Sequence, residues 1–190
     1  MNNLLRLALF TCIFGTTAHA LAEQQTISLG YAQAKVQDLG TIRGVNAQYR
    51  YEWNSPLSIL TSVSYMQNNI DYSFYDYAGD YYERDAKLKD YSLLAGPAYR
   101  FNDMISVYGL IGLNHIKAKG DYLWVNNDHN KTETRGSISE SSTDFAYGLG
   151  VIINATDNIS INAGYEGTKV KLDGDKYSIN GFNIGVGYRF

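Results

Sequence analysis

The sequence predicts an all-β fold, an eight-stranded antiparallel transmembrane up-and-down β-barrel. Three observations predict it. Segments with a period of two recur along the chain. The connections between them alternate between short turns and longer polar stretches. The last segment, from Ser178, carries an apolar stripe that ends on Phe190. Counting back from Phe190, the residues Tyr188, Val186, Ile184 and Phe182 share one face, while Arg189, Gly187, Gly185, Asn183 and Gly181 share the other. Such a stripe needs cover from outside the strand, and in a bacterial outer membrane lipid supplies it.

The start of the chain fits export to that membrane. Arg6 precedes an apolar stretch from Leu7 to Ala18, followed by Ala20-Leu21-Ala22, which reads as a secretory signal peptide over residues 1–22. The stretch holds about 12 residues, short of the roughly 20 that a membrane-spanning helix needs. Cleavage after Ala22 is preferred over cleavage after Ala20. The single cysteine, Cys12, lies inside this segment, so the exported domain, residues 23–190, is expected to contain neither disulfides nor thiolate metal sites. Lys and Arg number 16 against 19 Asp and Glu, which argues against nucleic-acid binding. The chain has 17 Tyr and 18 Gly beside 2 Pro, and tyrosine favours membrane interfaces, with an apolar ring and a polar tip.

Beyond the signal peptide no apolar stretch reaches the length of a membrane helix, and the strands follow in order. The first runs from Thr26 to Lys35, with Ile27, Leu29 and Tyr31 opposed to Ser28, Gly30 and Ala32. The second, Arg43 to Glu52, turns Val45, Ala47, Tyr49 and Tyr51 outward and Gly44, Asn46, Gln48, Arg50 and Glu52 inward. After the turn at 53–56, the third places Leu57, Ile59, Val63 and Tyr65 outward and Ser58, Ser62 and Ser64 inward. The fourth has Tyr91, Leu93, Ala95, Pro97, Tyr99 and Phe101 opposed to Ser92, Gly96, Ala98 and Arg100, and a bulge is expected at Pro97. The turn at 102–104 leads to the fifth, in which Ile105, Val107, Ile111 and Leu113 oppose Ser106, Tyr108, Gly112 and Asn114. The sixth sets Phe145, Tyr147, Leu149, Val151 and Ile153 against Ala146, Gly148 and Gly150. Past the turn at 155–158, the seventh sets Ile159, Ile161, Ala163 and Tyr165 against Ser160, Asn162, Gly164 and Glu166, and the eighth is the terminal strand. The remaining connections, about 36–42, 68–88, 120–142 and 172–176, are more polar and mostly longer, as extracellular loops of such barrels are. A soluble ligand-binding barrel would alternate as well, with its apolar face inward. Here the faces opposite the bulky apolar groups carry Gly, Ser, Asn and Arg, so the polarity is that of a membrane barrel.

Several strings resemble a known family. Gly30-Tyr31-Ala32-Gln33, Tyr49-Arg50-Tyr51-Glu52, Ser55-Pro56-Leu57, Ala95-Gly96-Pro97-Ala98-Tyr99-Arg100 and Gly185-Val186-Gly187-Tyr188-Arg189-Phe190 are similar to blocks of the Ail/Lom/OmpX/PagC family of enterobacterial outer-membrane proteins. Ile42-Arg43-Gly44-Val45-Asn46 and Ile179-Asn180-Gly181-Phe182-Asn183 resemble its PagC branch in particular. The resemblance spans the mature barrel and departs in the long loops. It implies a surface protein associated with virulence, through adhesion to host cells or matrix, serum or complement resistance and survival in host cells. Host extracellular-matrix or complement-regulatory proteins would then be partners. It also implies a proline at the position of Pro97 and a terminal strand, Phe182, Ile184, Val186, Tyr188 and Phe190, read by the outer-membrane assembly machinery.

Three groups of residues are candidates for function. The inward polar set contains Arg50, Glu52, Arg100, Tyr108, Glu166 and Arg189, and eight strands enclose an interior that side chains fill, so the set reads as a hydrogen-bonded plug rather than an ion path. Outward parity extended past the apolar belt collects Lys35, Arg43, Lys87, Lys89, Lys117, Lys119, Lys169, Lys171 and Lys176. These are expected to form a collar that pairs with lipopolysaccharide phosphates. The stretch 68–88 carries Tyr72, Phe74, Tyr75, Tyr77, Tyr81 and Tyr82 among acids, a composition suited to host-protein contact. An envelope protein that only interacts with lipopolysaccharide is the alternative. A lipid-modifying barrel enzyme would favour a histidine base. His115 is expected to face outward and His129 to sit beside Asp128 in the third loop, neither with a nucleophile at a recognisable spacing. No catalytic residue, metal or cofactor is therefore assigned, and the protein is expected to be a monomer.

Overall fold

Antiparallel pairing of each strand with the next accounts for nearly all the backbone hydrogen bonding. The computed structural model describes residues 24–37, 39–75, 77, 80–125, 133–172 and 175–190; residues 1–22, His129 and Asp128 lie outside them, as does the side chain of Tyr72. The strands are β1 (Gln24–Val36), β2 (Gly40–Glu52), β3 (Leu57–Tyr75), β4 (Tyr81–Arg100), β5 (Ile105–Val125), β6 (Glu133–Asn154), β7 (Ile159–Leu172) and β8 (Asp175–Arg189). They close into one barrel in sequence order, and β8 returns to pair with β1. At the seam Gln25 and Phe190 exchange both backbone hydrogen bonds at 2.9 Å, so the last residue completes the barrel. Gly40 opens β2 with φ at 110°, a conformation that an L side chain would resist.

The facing of every strand follows the expected parity. Leu29, Val45, Leu93, Ile111, Leu149 and Val186 are exposed on the outside, where lipid covers them, while Ser28, Asn46, Ser64, Ser92, Asn114 and Asn162 are buried inside. The short turns at 53–56, 101–104 and 155–158 lie together with the chain ends on the periplasmic side.

Two expectations need correction. First, most of the segments expected as long loops are strand. β3 and β4 stay paired out to Tyr75 opposite Tyr81, and β5 and β6 out to Val125 opposite Glu133. By contrast β2 leaves β3 at Arg43 opposite Gln67, and β6 leaves β7 at Ala146 opposite Thr168. The four strands β3 to β6 therefore rise above the rest as a sheet, by roughly 25 Å along β3 and about 40 Å along β6 at 3.3 Å per residue. The asymmetry of the barrel lies in strand length, because above the membrane both faces of a strand meet water and the alternation that marks it fades. Second, Pro97 sits in no bulge. It pairs with Ile59 of β3, and the β4–β5 ladder merely lapses at 96–97 before resuming in the same register, with Ala95 opposite Ile111 and Ala98 opposite Tyr108. Lacking an N–H, proline gives up a rung without shifting its neighbours.

The interior is not uniformly polar either. Leu60, Leu94, Ala98, Tyr108, Leu110, Ala146 and Ile152 form an apolar cluster in the lower half. Near the mouth Ala32, Ala34, Val36, Ile42, Met66, Leu88, Ile116, Val170 and Ile179 form a second.

Candidate functional site

At the periplasmic end, Glu52 of β2 is the common partner of three arginines. Arg50 Nη2 lies 3.1 Å from Glu52 Oε1, and Arg100 Nη1 lies 3.8 Å from the same oxygen. Arg189 Nε approaches Oε2 at 3.3 Å, a charge contact whose angle does not make a hydrogen bond. Arg50 also donates to Ser58 Oγ at 2.9 Å and to Ser106 Oγ at 3.1 Å, and Arg100 donates to the carbonyl of Ser55 at 3.4 Å. Period-two alternation puts Arg50 and Glu52 on the same side of β2, and antiparallel closure brings the ends of β4 and β8 to them.

One layer higher, Gln48 donates to the hydroxyl of Tyr108 and to Asn183 Oδ1, each at 3.4 Å. The Tyr108 hydroxyl occupies space that Gly150 and Gly164 leave open, since a Cβ at either would overlap it. Asn46 donates to Ser62 at 2.8 Å and to Ser64 at 2.9 Å. Glu166 accepts from Ser92 at 2.8 Å, Ser64 at 3.2 Å, Ser62 at 3.3 Å and Asn183 at 3.2 Å. All six members of the inward set thus belong to the interior, in two layers rather than one cluster. Sequence reasoning missed Asp90, which is fully buried and accepts from Asn114 at 2.8 Å. Its even number in β4 was the available signal, had that strand been begun before Tyr91.

On the outside, all the cations of the expected collar are exposed on the outward face. Strand register arranges them further. Lys87 stands opposite Lys119 and Lys89 opposite Lys117, which makes a square of four ammonium groups on β4 and β5, and Lys171 faces Lys176 across β7–β8. Among the described residues none of them forms an ion pair. Like charges directly opposite repel by a few tenths of a kcal/mol up to about 1 kcal/mol, so the square favours an anion beside it. The row immediately below is aromatic, with Tyr65 and Tyr91 at 5.0 Å between centroids and His115 at 6.4 Å from Tyr91. His115 faces outward as expected, and its Nδ1 contacts Thr143 Oγ1 at 2.7 Å. A tyrosine belt marks the membrane boundary, so the lysine square sits at headgroup height.

The aromatic residues expected on a loop are mostly strand residues with rings stacked across strands. Phe74, Tyr82 and Trp124 form a row on the inner face of the protruding sheet, at 4.9 Å and 8° for the first pair and 6.3 Å and 22° for the second. Trp124 Nε1 donates to Asp80 Oδ2 at 3.1 Å. Tyr75 and Tyr81 pair at 5.0 Å on the outer face, and Tyr77 alone lies in the turn, fully exposed. Tyr122 covers Gly136 of β6, where a Cβ would overlap its ring. Acids, Glu83, Asp85 and Asp121, crowd the outer face above the lysines, with Asp85 opposite Asp121.

Comparison with known proteins places this architecture. The family model described as enterobacterial Ail/Lom protein matches residues 2–190. The virulence membrane protein PagC of Salmonella typhimurium strain LT2 is 41% identical over 172 residues, covering 90% of this chain and 89% of that protein. The attachment invasion locus protein of Yersinia pseudotuberculosis is 33% identical and covers 100% and 97%. The crystal structure of Ail, the attachment invasion locus protein of Yersinia pestis, superposes with a TM-score of 0.69 at 32% identity, covering 90% of this chain and 100% of that one. The same protein has been solved in complex with the heparin analogue sucrose octasulfate, and that structure matches with a TM-score of 0.66 at 32% identity and the same coverage.

Proposed function

Because the chain belongs to the enterobacterial Ail/Lom family and resides in the outer membrane, we propose that it is a non-enzymatic surface-contact protein. It acts in virulence by attaching the bacterium to host cells or matrix and by protecting it from serum. The observation that carries this reading is the sheet of β3 to β6, which continues past the membrane boundary and presents the Phe74, Tyr82 and Trp124 row. Rigid aromatic side chains give contact area at small entropic cost, which suits a binding surface. The names of PagC and of the attachment invasion locus proteins agree with such a role.

The experiment is to express the chain in a non-adherent, serum-sensitive host. Wild type is compared with a variant whose β3–β4 and β5–β6 hairpins are cut back to the height of Asn69, which keeps Lys87 and Lys119, and joined by short turns. The reading expects the cut barrel to reach the surface and to lose adhesion and serum survival by tenfold or more. Undiminished adhesion and survival would refute it.

A second reading is favoured by the square of Lys87, Lys119, Lys89 and Lys117. Seated above the tyrosine belt, it pairs with lipopolysaccharide phosphates and gives the barrel a place in envelope structure. Each lysine near an anionic surface contributes about 1 kcal/mol, so the square is worth roughly 4 kcal/mol before screening. The polyanion bound by the Yersinia pestis relative is consistent with a cationic surface of this kind. Replacing the four lysines by glutamine is expected to weaken binding to phosphorylated lipopolysaccharide and leave binding to the dephosphorylated form unchanged. Equal binding of both forms by the wild type would remove the reading.

A further inference from the structure

The outer face of the protruding sheet is ordered by charge. Like stands opposite like in three successive outward rungs of β4 and β5. Lys89 faces Lys117, Lys87 faces Lys119, and next above them Asp85 faces Asp121. Register also sets Asp71 of β3 opposite Asp85, and Glu83 follows one outward position further up β4. The four lysines and Asp121 are exposed, while Asp85 and Glu83 are half-buried. Among the described residues no ion pair joins the two bands. Opposite charges facing each other across a rung stabilise a sheet and like charges weaken it. Exchanging Asp85 with Lys87 would turn two repulsive rungs into two ion pairs, so the observed order gives up stability that one exchange would recover. In return it keeps a cationic band separate from the anionic band above it.

The spacing of the bands suits a small zwitterion. Two residues of strand separate Lys87 from Asp85 and Lys119 from Asp121, about 6.6 Å at 3.3 Å per residue, and flexible side chains lean across part of that gap. A phosphate among the ammonium groups and an amine among the carboxylates stand this close when a short ester bridge joins them. An open cleft of about 530 Å³, lined by Glu83, Asp85, Asp121, Leu123, Arg135 and Ser137, leaves room beside the acids. Arg135 is held by Glu133 at 3.1 Å and forms no ion pair with Asp85 or Asp121. A purely anionic chain continuing upward from the lysines would meet these two carboxylates and be repelled, so the acids act against such ligands. Height indicates the source. The lysine square lies directly above the Tyr65 and Tyr91 row at the membrane boundary, so its phosphate belongs to the outer leaflet and a substituent on that phosphate points away from the membrane, toward the acids.

We propose that this face of β4 and β5 recognises lipopolysaccharide phosphates that carry a primary amine, as in a phosphoethanolamine group. Lys87, Lys89, Lys117 and Lys119 take the phosphate, and Asp85 and Asp121 take the ammonium group. The inference rests on the reading of the lysine square as a phosphate site and adds to it a choice between forms of that phosphate. Complementary charge sets specificity more than affinity, so the acids lower the binding of bare phosphate as well as raise that of the amine-bearing form.

The test uses the full chain folded in a neutral maltoside detergent, at low ionic strength and with divalent cations chelated. Three forms of one lipopolysaccharide are titrated: with bare phosphates, with phosphoethanolamine on the phosphates, and dephosphorylated. Wild type is expected to bind the amine-bearing form about fivefold more tightly than the bare form, and both more tightly than the dephosphorylated one. The double variant Asp85→Asn with Asp121→Asn is expected to bind the two phosphorylated forms equally, chiefly by binding the bare form better. Glu133→Gln, on the same face but outside the acid band, is expected to keep the preference. Free O-phosphoethanolamine should also displace lipopolysaccharide from wild type at a lower concentration than inorganic phosphate does, a result that stands even if the double variant does not fold. Equal binding of the two phosphorylated forms by wild type, with the dephosphorylated form weaker, would overturn this inference and leave the phosphate reading in place. Equal binding of all three would remove both. A preference undiminished in the folded double variant, or one erased by adding phosphatidylethanolamine to the micelles, would overturn the assignment as well, the latter by giving the face to phospholipid headgroups.

Discussion

Replacing Glu52 by glutamine keeps the shape of the side chain and removes the single negative charge that Arg50, Arg100 and Arg189 share. The two closest contacts, at 3.1 Å and 3.3 Å, are to side chains only 2% and 10% exposed, and Glu52 itself is 3% exposed. Unit charges about 4 Å apart interact by roughly 4 kcal/mol at an effective dielectric constant near 20. Arg100 is 27% exposed at 3.8 Å, so its share is reduced by solvent. Ser58 and Ser106 can still hold the Arg50 guanidinium in E52Q, but they do not neutralise it, and Arg50 and Arg189 then repel across the gap. Breaking a buried pair by removing one partner costs about 3–5 kcal/mol, and that is the loss expected here. Urea unfolding of the barrel in lipid vesicles reads it directly. With an m-value of about 2 kcal/mol per molar, the midpoint should fall by roughly 2 M. Arg100→Gln, which relieves repulsion while giving up the longest and wettest contact, is expected to change stability by under about 1 kcal/mol. Combined with E52Q it should recover part of the loss. A midpoint shift below about 0.5 M for E52Q, or strict additivity in the double variant, would refute the reading of these residues as one charge network.

Gly164→Ala places a methyl group on the Tyr108 hydroxyl and should destabilise the barrel by about 1–3 kcal/mol in the same assay, with Tyr108→Phe restoring part of it. If Tyr108→Phe brought no relief, the hydroxyl would not be the group in contact. Deleting Phe190 removes the paired backbone hydrogen bonds to Gln25 and the last outward ring, so the variant should accumulate unassembled and be depleted from the outer-membrane fraction. Normal surface display would count against the assembly role of the terminal strand. Tyr82→Ala interrupts the ring row between Phe74 and Trp124, each contact worth about 0.5–1.5 kcal/mol, and should reduce adhesion several-fold while the variant still reaches the surface as a folded barrel. Unchanged adhesion would move the contact surface away from the inner face of the sheet.

How far the sequence could be read depends on what surrounds each residue. Within the bilayer the two faces of a strand meet opposite solvents, so Val45, Ala47 and Tyr49 against Asn46, Gln48 and Arg50 declared both strand and facing. The collar followed from the same parity. Its pairing did not, because Lys87 meets Lys119 only through the register that the turn at 101–104 imposes on β4 and β5. Above the bilayer the alternation disappears, and residues such as Asn68, Asn69 and Ser73 read as loop although they are paired with Leu88, Lys87 and Glu83. The apolar mouth was hidden for a related reason. Parity carried past the apolar belt singles out the outward cations, while Val36, Ile42, Leu88, Ile116, Val170 and Ile179 face inward at the same height, on a side where polar residues were expected.

The order of layers along the axis bears on where recognition can occur. An ion crossing the barrel would pass the apolar cluster of Val36, Ile42, Ile116, Val170 and Ile179 before reaching any polar group, and then the side chains around Tyr108 and Glu52. Apolar side chains at the mouth shed water, and so they protect the polar layers beneath from exchange with solvent. An interior sealed in this way binds nothing larger than what fits its cavity, so contact with other molecules falls to the outer surfaces. There the strands provide the geometry. β4 carries Lys89 and Lys87 at headgroup height and, without a break in its pairing to β3, Tyr82 near its start. A strand that holds both groups fixes the distance between them at about 3.3 Å per residue. On the proposed pairing of these lysines with phosphate, the anchor sets the height at which the aromatic row stands above the membrane, and shortening the sheet above Lys87 changes that height without altering the anchor.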